Sequence, residues 1–177
     1  MKRLFFCVLL TLFLLPAPAL SYGESVTRGD FILLLWAASG SVPFDMTAHP
    51  FTDLSGREEL AQAVAWAYDL GLVKGVGENT FAPDRPLTRE ECALLLRRND
   101  ARLDREVFLP DGAAQCNDGL DISPWADDSL YWACISGRMD WQENRLAPLE
   151  VVTAGELKDY FTLELELYPS LLSPASP

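Results

Sequence analysis

Side chains that most often carry catalysis are scarce in this sequence. His49 is the single histidine, there is no Gly-x-Ser-x-Gly elbow, and no cysteine or histidine spacing suits a metal. Nucleophilic catalysis, a zinc site and a bound cofactor therefore have no framework to build on, and no enzyme is expected. What recurs is a threonine followed three residues later by an acid: Thr27 and Asp30, Thr88 and Glu91, Thr153 and Glu156. A threonine so placed accepts from the orphan amides of a helix start, and the acid favours the positive end of the helix dipole. With glutamate in the third position, Thr88/Glu91 and Thr153/Glu156 are full capping boxes. The same local chemistry thus returns at intervals of roughly 60 to 65 residues, the mark of an internal repeat.

Those caps must open helices. Each threonine is preceded by an apolar residue, and Val26 with Phe31, Leu87 with Cys92 and Val152 with Leu157 have the spacing of a hydrophobic staple. Downstream, Phe31, Leu34 and Leu35, then Cys92, Leu95 and Leu96, then Leu157, Tyr160 and Phe161 form one apolar stripe per helix. Three such helices are expected to pack around a common axis. A second helix type precedes two of the starts. Residues 57–71 place Leu60, Ala61, Val64, Ala67 and Tyr68 largely on one face and stop at Gly71; residues 125–137 answer them, with Trp132-Ala133 for Trp66-Ala67 and Gly137 for Gly71. Loops ending in Ala82-Pro83 and Ala147-Pro148 join the two types and set the approach to the next cap. The expected class is all-α, as tandem helix-loop-helix repeats.

Composition bounds what such a scaffold can hold. Lys2 and Arg3 followed by an uncharged run from Leu4 to Leu15 and by Pro16-Ala17-Pro18-Ala19 read as a secretory signal peptide over 1–19, with cleavage near 19–21. The apolar run is too short to span a bilayer, so no membrane insertion is expected after cleavage. The formal charge is −12. Loss of Lys2 and Arg3 with the leader would take it to about −14, which argues against nucleic acid or anionic lipid as partners. Any anion must be held by a few placed cations. Export leaves Cys92, Cys116 and Cys134, at most one disulfide and one thiol; Cys116 and Cys134 are the nearer pair, and Cys92 falls on a core position.

Phe51-Thr52-Asp53-Leu54, Gly71-Leu72-Val73-Lys74-Gly75, Phe81-Ala82-Pro83-Asp84 and Leu87-Thr88-Arg89-Glu90-Glu91 resemble, in order and spacing, the S-layer homology repeat. One full copy covers 51–98, a diverged third copy 121–165, and 25–40 is similar to the second half of a first. The resemblance implies a pseudo-threefold helical module around a central bundle, located at the cell wall or surface. Its grooves would hold cell-wall polysaccharide, either a secondary polymer, often through a pyruvate ketal carboxylate, or a peptidoglycan-linked glycan. The family's arginine falls on Arg28 and Arg89, where a planar fork of donors suits a carboxylate. Its tryptophan falls on Trp125. Arg89 with Trp125 is the expected composite groove, and Arg28 with Asp53 and Gly75 a second site.

Departures from the pattern point elsewhere. Ala154 replaces the arginine in the third copy, Glu59 or Leu60 the tryptophan in the second, and Trp141 the glycine matched by Gly75. Trp141 either closes its loop over the core or contacts sugar. Degenerate repeats of this kind also fit a helical scaffold that pairs with another exported protein. Between the copies, 99–120 reads as a solvated linker whose acids lack the order of a calcium loop. Residues 166–177, rich in proline and serine, read as a disordered tail. No separate functional domain beside the repeats is expected.

Overall fold

The computed structural model describes residues 23–105, 107–109, 118–126, 128–157 and 160–161. The expected signal peptide, the expected tail and Cys116, with its expected pairing to Cys134, lie outside the described residues. Within them the chain is mainly α-helical, and β structure is confined to single-residue bridges. Four α-helices are α1 (Arg28–Ala38), α2 (Glu58–Asp69), α3 (Arg89–Arg102) and α4 (Ser129–Ile135), and a further helix begins at 154–157.

All three threonine starts form reciprocal caps. The Asp30 amide donates to Thr27 Oγ1 at 3.1 Å while the Thr27 amide donates to Asp30 Oδ2 at 3.1 Å. Thr88 with Glu91, and Thr153 with Glu156, repeat the exchange. Aspartate therefore closes the first box as well as glutamate closes the others.

The residues just before these threonines join one another. The Val26 amide donates to Val152 O, Val152 to Leu87 O, and Leu87 to Val26 O, each at 2.9 Å. The ring is closed, and all three side chains are fully buried. Antiparallel bridges Ser25–Thr153, Thr27–Pro86 and Thr88–Val151 flank it. Isolated bridges are weak on their own; here a dry apolar centre prevents water from competing for their donors. Outside the ring, α1 packs chiefly against α2, and α3 against α4. Phe31, Ile32 and Leu35 of α1, Val64 and Ala67 of α2, and Leu96, Leu130 and Trp132 further along belong to one continuous core. Trp66 and Trp132 are buried in it.

Three boundaries differ from the sequence reading. Helix α4 opens at Ser129 rather than at Trp125, because Ser123, Pro124 and Trp125 form turns in which the Ala126 amide donates to Ser123 O and the Ser129 amide to Ala126 O. Helix α3 continues past 98 to Arg102. Asp118, which the reading placed in a solvated connector, is buried, and its carboxylate accepts from the Leu146 and Ala147 amides at 2.8 Å each. Asp53 does the same for Phe81 (3.0 Å) and Ala82 (2.7 Å). Ala82 and Ala147 have φ of 58° and 51°, so in both copies an aspartate anchors a left-handed alanine just before the Pro that leads into the next cap.

A candidate cationic groove

Arg28 opens α1, and its amide donates to Arg85 O at 3.0 Å, so the first helix starts beside the segment that leads into the second cap. Its guanidinium turns inward: Nε donates to Phe81 O (3.1 Å), Nη1 reaches Glu91 Oε1 (3.3 Å), and the group lies 5.0 Å from the centre of the Phe81 ring. Arg85 pairs with the same Glu91 oxygen. On the facing wall, α3 contributes Leu94, Leu95 and Arg98, and Arg98 Nη1 donates to Leu72 O at 2.8 Å, tying the 73–76 loop to the helix.

Together these residues line a groove of about 810 Å³ that also takes in Lys74, Gly75, Val76 and Trp125. Trp125 is 53 % exposed and is held there from behind. The buried carboxylate of Glu90 accepts from the Ser123 amide and hydroxyl, both at 2.9 Å, which fixes the turn two residues before the ring. Gly75 has φ +81°, and a Cβ there would lie 2.6 Å from Phe51 Cε1 and 2.7 Å from Thr80 O, so the groove wall at this point has to be glycine.

The charge balance is lopsided. Arg28, Lys74, Arg85 and Arg98 bring four cations against the single carboxylate of Glu91. Burial lowers the pKa of the Arg28 guanidinium; Glu91 opposes this and neighbouring Arg85 adds to it. Arg98 is lowered by burial alone. Both stay charged at any physiological pH. In a protein of net charge −12, this is a local concentration of positive charge with an aromatic face beside it.

The expected pairings are redistributed. Trp125 shares its groove with Arg28 and Gly75, not with Arg89. Arg89 is only 1 % exposed: Nε donates to Leu146 O (2.9 Å), Nη2 to Asp140 O (2.6 Å), and Nη1 pairs with Glu156. Asp53 holds the loop before the cap and does not line the groove. Lys74, Arg85 and Arg98 escaped the sequence reading, although Lys74 lies next to Gly75 and Arg85 three residues before Thr88. Cys134 is buried, its Sγ 3.9 Å from Arg89 Nη2 and 3.8 Å from Asp140 O. Among the described residues no cluster suits a metal ion, and no helix is long and apolar enough to cross a membrane.

Residues 50–93, which supply most of this groove, match the model of the S-layer homology domain. The chain carries an S-layer homology domain over these residues. S-layer homology domains are binding modules that anchor proteins to cell-wall polymers. The chain is similar to an endoglucanase of Bacillus sp. (strain KSM-635), 31 % identical over 125 residues that make up 70 % of this chain and 13 % of that protein. It is also similar to exoglucanase XynX of Acetivibrio thermocellus, 27 % identical over 134 residues, 75 % of this chain and 12 % of the relative. An amylopullulanase of Thermoanaerobacterium thermosulfurigenes is 26 % identical over 134 residues, covering 75 % of this chain and 7 % of that protein. The S-layer homology chain described here thus spans only a small fraction of the length of these relatives.

Proposed function

We propose that the protein is exported and binds an acidic cell-wall polysaccharide non-covalently through the groove of Arg28, Arg85, Arg98, Gly75 and Trp125, acting as a binding module and not as an enzyme. The observation that carries this reading is four cations and an exposed indole in one groove of an otherwise acidic protein. A ketal carboxylate or a comparable anion on the polymer would be met by the guanidinium donors, and the apolar face of a sugar ring by Trp125. Lys74, exposed at the rim, adds long-range attraction. The three capped segments would then be three copies of one repeat about a pseudo-threefold axis through the centre of the Val26, Leu87 and Val152 ring, a reading supported by its closed circle of hydrogen bonds.

Sedimentation of the protein with purified wall sacculi tests the proposal. Retention should be lost with Arg85→Ala and Trp125→Ala, and also after mild acid strips ketals and wall polymers from the sacculi. Retention unchanged by both substitutions would sink it. A second reading, a scaffold that pairs with another exported protein, is favoured by the burial of Arg89. Defined co-purification of such a protein, with no retention on sacculi, would establish it.

A further inference from the structure

Resting on the groove reading above, we infer that the chain carries its ligand in one groove only, because the corresponding second groove has become an internal bracket closed by Gln142 and Glu156. The two are built by the same bonds. Arg28 Nε donates to Phe81 O at 3.1 Å and Arg89 Nε to Leu146 O at 2.9 Å; the Arg28 amide donates to Arg85 O and the Arg89 amide to Glu150 O. Position for position, Gly29 N to Pro83 O is answered by Glu90 N to Pro148 O.

Three differences separate the two. In the place of Gly75, whose missing side chain faces Phe51 and Thr80, the third copy has Trp141, half-buried and packed edge-on to Tyr131 with ring centres 5.9 Å apart at 86°. Where Arg85 brings a cation to the groove, the residue accepting the equivalent backbone bond is Glu150. Finally, Arg89 is sealed from solvent at 1 % exposure, its donors engaged by two carbonyls and Glu156, and Gln142 Nε2 braces the same Glu156 oxygen at 3.3 Å. An incoming carboxylate would have to displace Glu156 from a guanidinium that water does not reach, with Glu150 repelling it on the way. In the first groove Glu91 is shared between Arg28 and Arg85, so cationic charge is left over for a ligand. The same repeat geometry therefore gives a receptor once and a brace once, and the exchange of Arg85 for Glu150, with Glu156 held on Arg89, accounts for the difference.

The test uses the full chain labelled with nitrogen-15 and a methyl hexopyranoside carrying a pyruvate ketal as probe. Calorimetry should give one equivalent bound, with the Trp125 indole signal moving on titration and the Trp141 signal staying still. Without any ligand, the Arg89 Nε–H should exchange with solvent at least ~100-fold more slowly than that of Arg85. A second equivalent that moves Trp141, or Arg89 exchanging as fast as Arg85, would overturn the inference. Failure of the ketal to bind would count against the groove reading, and the exchange rates would then decide the bracket by themselves.

Discussion

Arg89 of α3 and Glu156, 67 residues further along, form an ion pair in which the arginine side chain is 1 % exposed and the glutamate side chain 17 %. The same glutamate caps its own helix through the Thr153 amide. One carboxylate thus starts a helix and locks it to α3.

Removal of that arginine should be costly. Arg89→Ala removes the ion-pair partner of Glu156 and the guanidinium donors to the Leu146 and Asp140 carbonyls, and is expected to destabilise by about 3–5 kcal/mol, as for other broken buried pairs. For a chain of this size the melting temperature should fall by roughly 10 °C or more. Arg85→Ala, whose side chain is 42 % exposed, should cost no more than about 1 kcal/mol. Calorimetric melting of the two variants checks the contrast, and equal losses would contradict it.

Gly75 and Gly71 separate strain from collision. Both have positive φ, +81° and +71°, but a Cβ at Gly71 meets nothing within 4 Å. Gly71→Ala should therefore cost about 1 kcal/mol, the penalty of a left-handed backbone alone. Gly75→Ala adds overlap with Phe51 and Thr80 and should cost at least ~2 kcal/mol more. Urea denaturation of both variants measures the difference.

Acid should weaken the fold through Asp53 and Asp118. Burial pushes both carboxyls upward, but amide bonds from Phe81 and Ala82 to Asp53, and from Leu146 and Ala147 to Asp118, outweigh it and hold both pKa values below the ordinary one. The folded state binds these protons less tightly than the unfolded chain. Their contribution is therefore complete above the unfolded value of about 3.9 and is lost as pH falls through the folded value. Melting temperatures from pH 7 to pH 2.5 should drop most steeply below about pH 4, and Asp118→Asn should make that drop shallower.

Cys92 should be inert while the protein is folded. It is fully buried, and burial, aided by the negative charge of Glu156 and Glu91 against the opposing Arg89, drives its thiol far above the usual range. Iodoacetamide at pH 8 should leave Cys92 unmodified in native protein and alkylate it in urea, as read by peptide mass spectrometry. Rapid labelling of the native state would contradict the burial.

In the groove, Trp125→Ala and Arg98→Ala should each weaken polysaccharide binding by about tenfold, the loss usual for an anchoring side chain. Binding should also fall as salt rises, because part of the attraction is long-range. Titration at two ionic strengths checks both effects.

Local chemistry was legible along the chain. A threonine, an acid three residues on and a preceding apolar residue specify a helix entry within one turn, so Thr27, Thr88 and Thr153 could be assigned as caps without reference to any other segment. Most of the apolar stripes of α1 to α3 followed from the same short-range periodicity, as did the buried position of Cys92, but Leu34 is only half-buried, Tyr68 is exposed, and Ile32 and Trp36 join the core. Even so, local rules misjudged Trp125, since the Glu90 carboxylate that holds Ser123 and delays α4 comes from 33 residues away. They also missed Asp118, whose partners lie 28 and 29 residues downstream.

What the sequence by itself determined, then, was the set of helix starts and the recurrence of one repeat, because caps, staples and stripes act between residues only a few positions apart. Which arginine meets the tryptophan was decided by tertiary structure alone. Each groove is assembled from chain segments tens of residues apart, and a buried guanidinium goes to whichever carboxylate and carbonyls the packing brings within about 3 Å of it. Arg28 and Arg89 occupy the same position in their helices, yet the neighbours that packing gives them leave the first in an open cationic groove and the second sealed against Glu156.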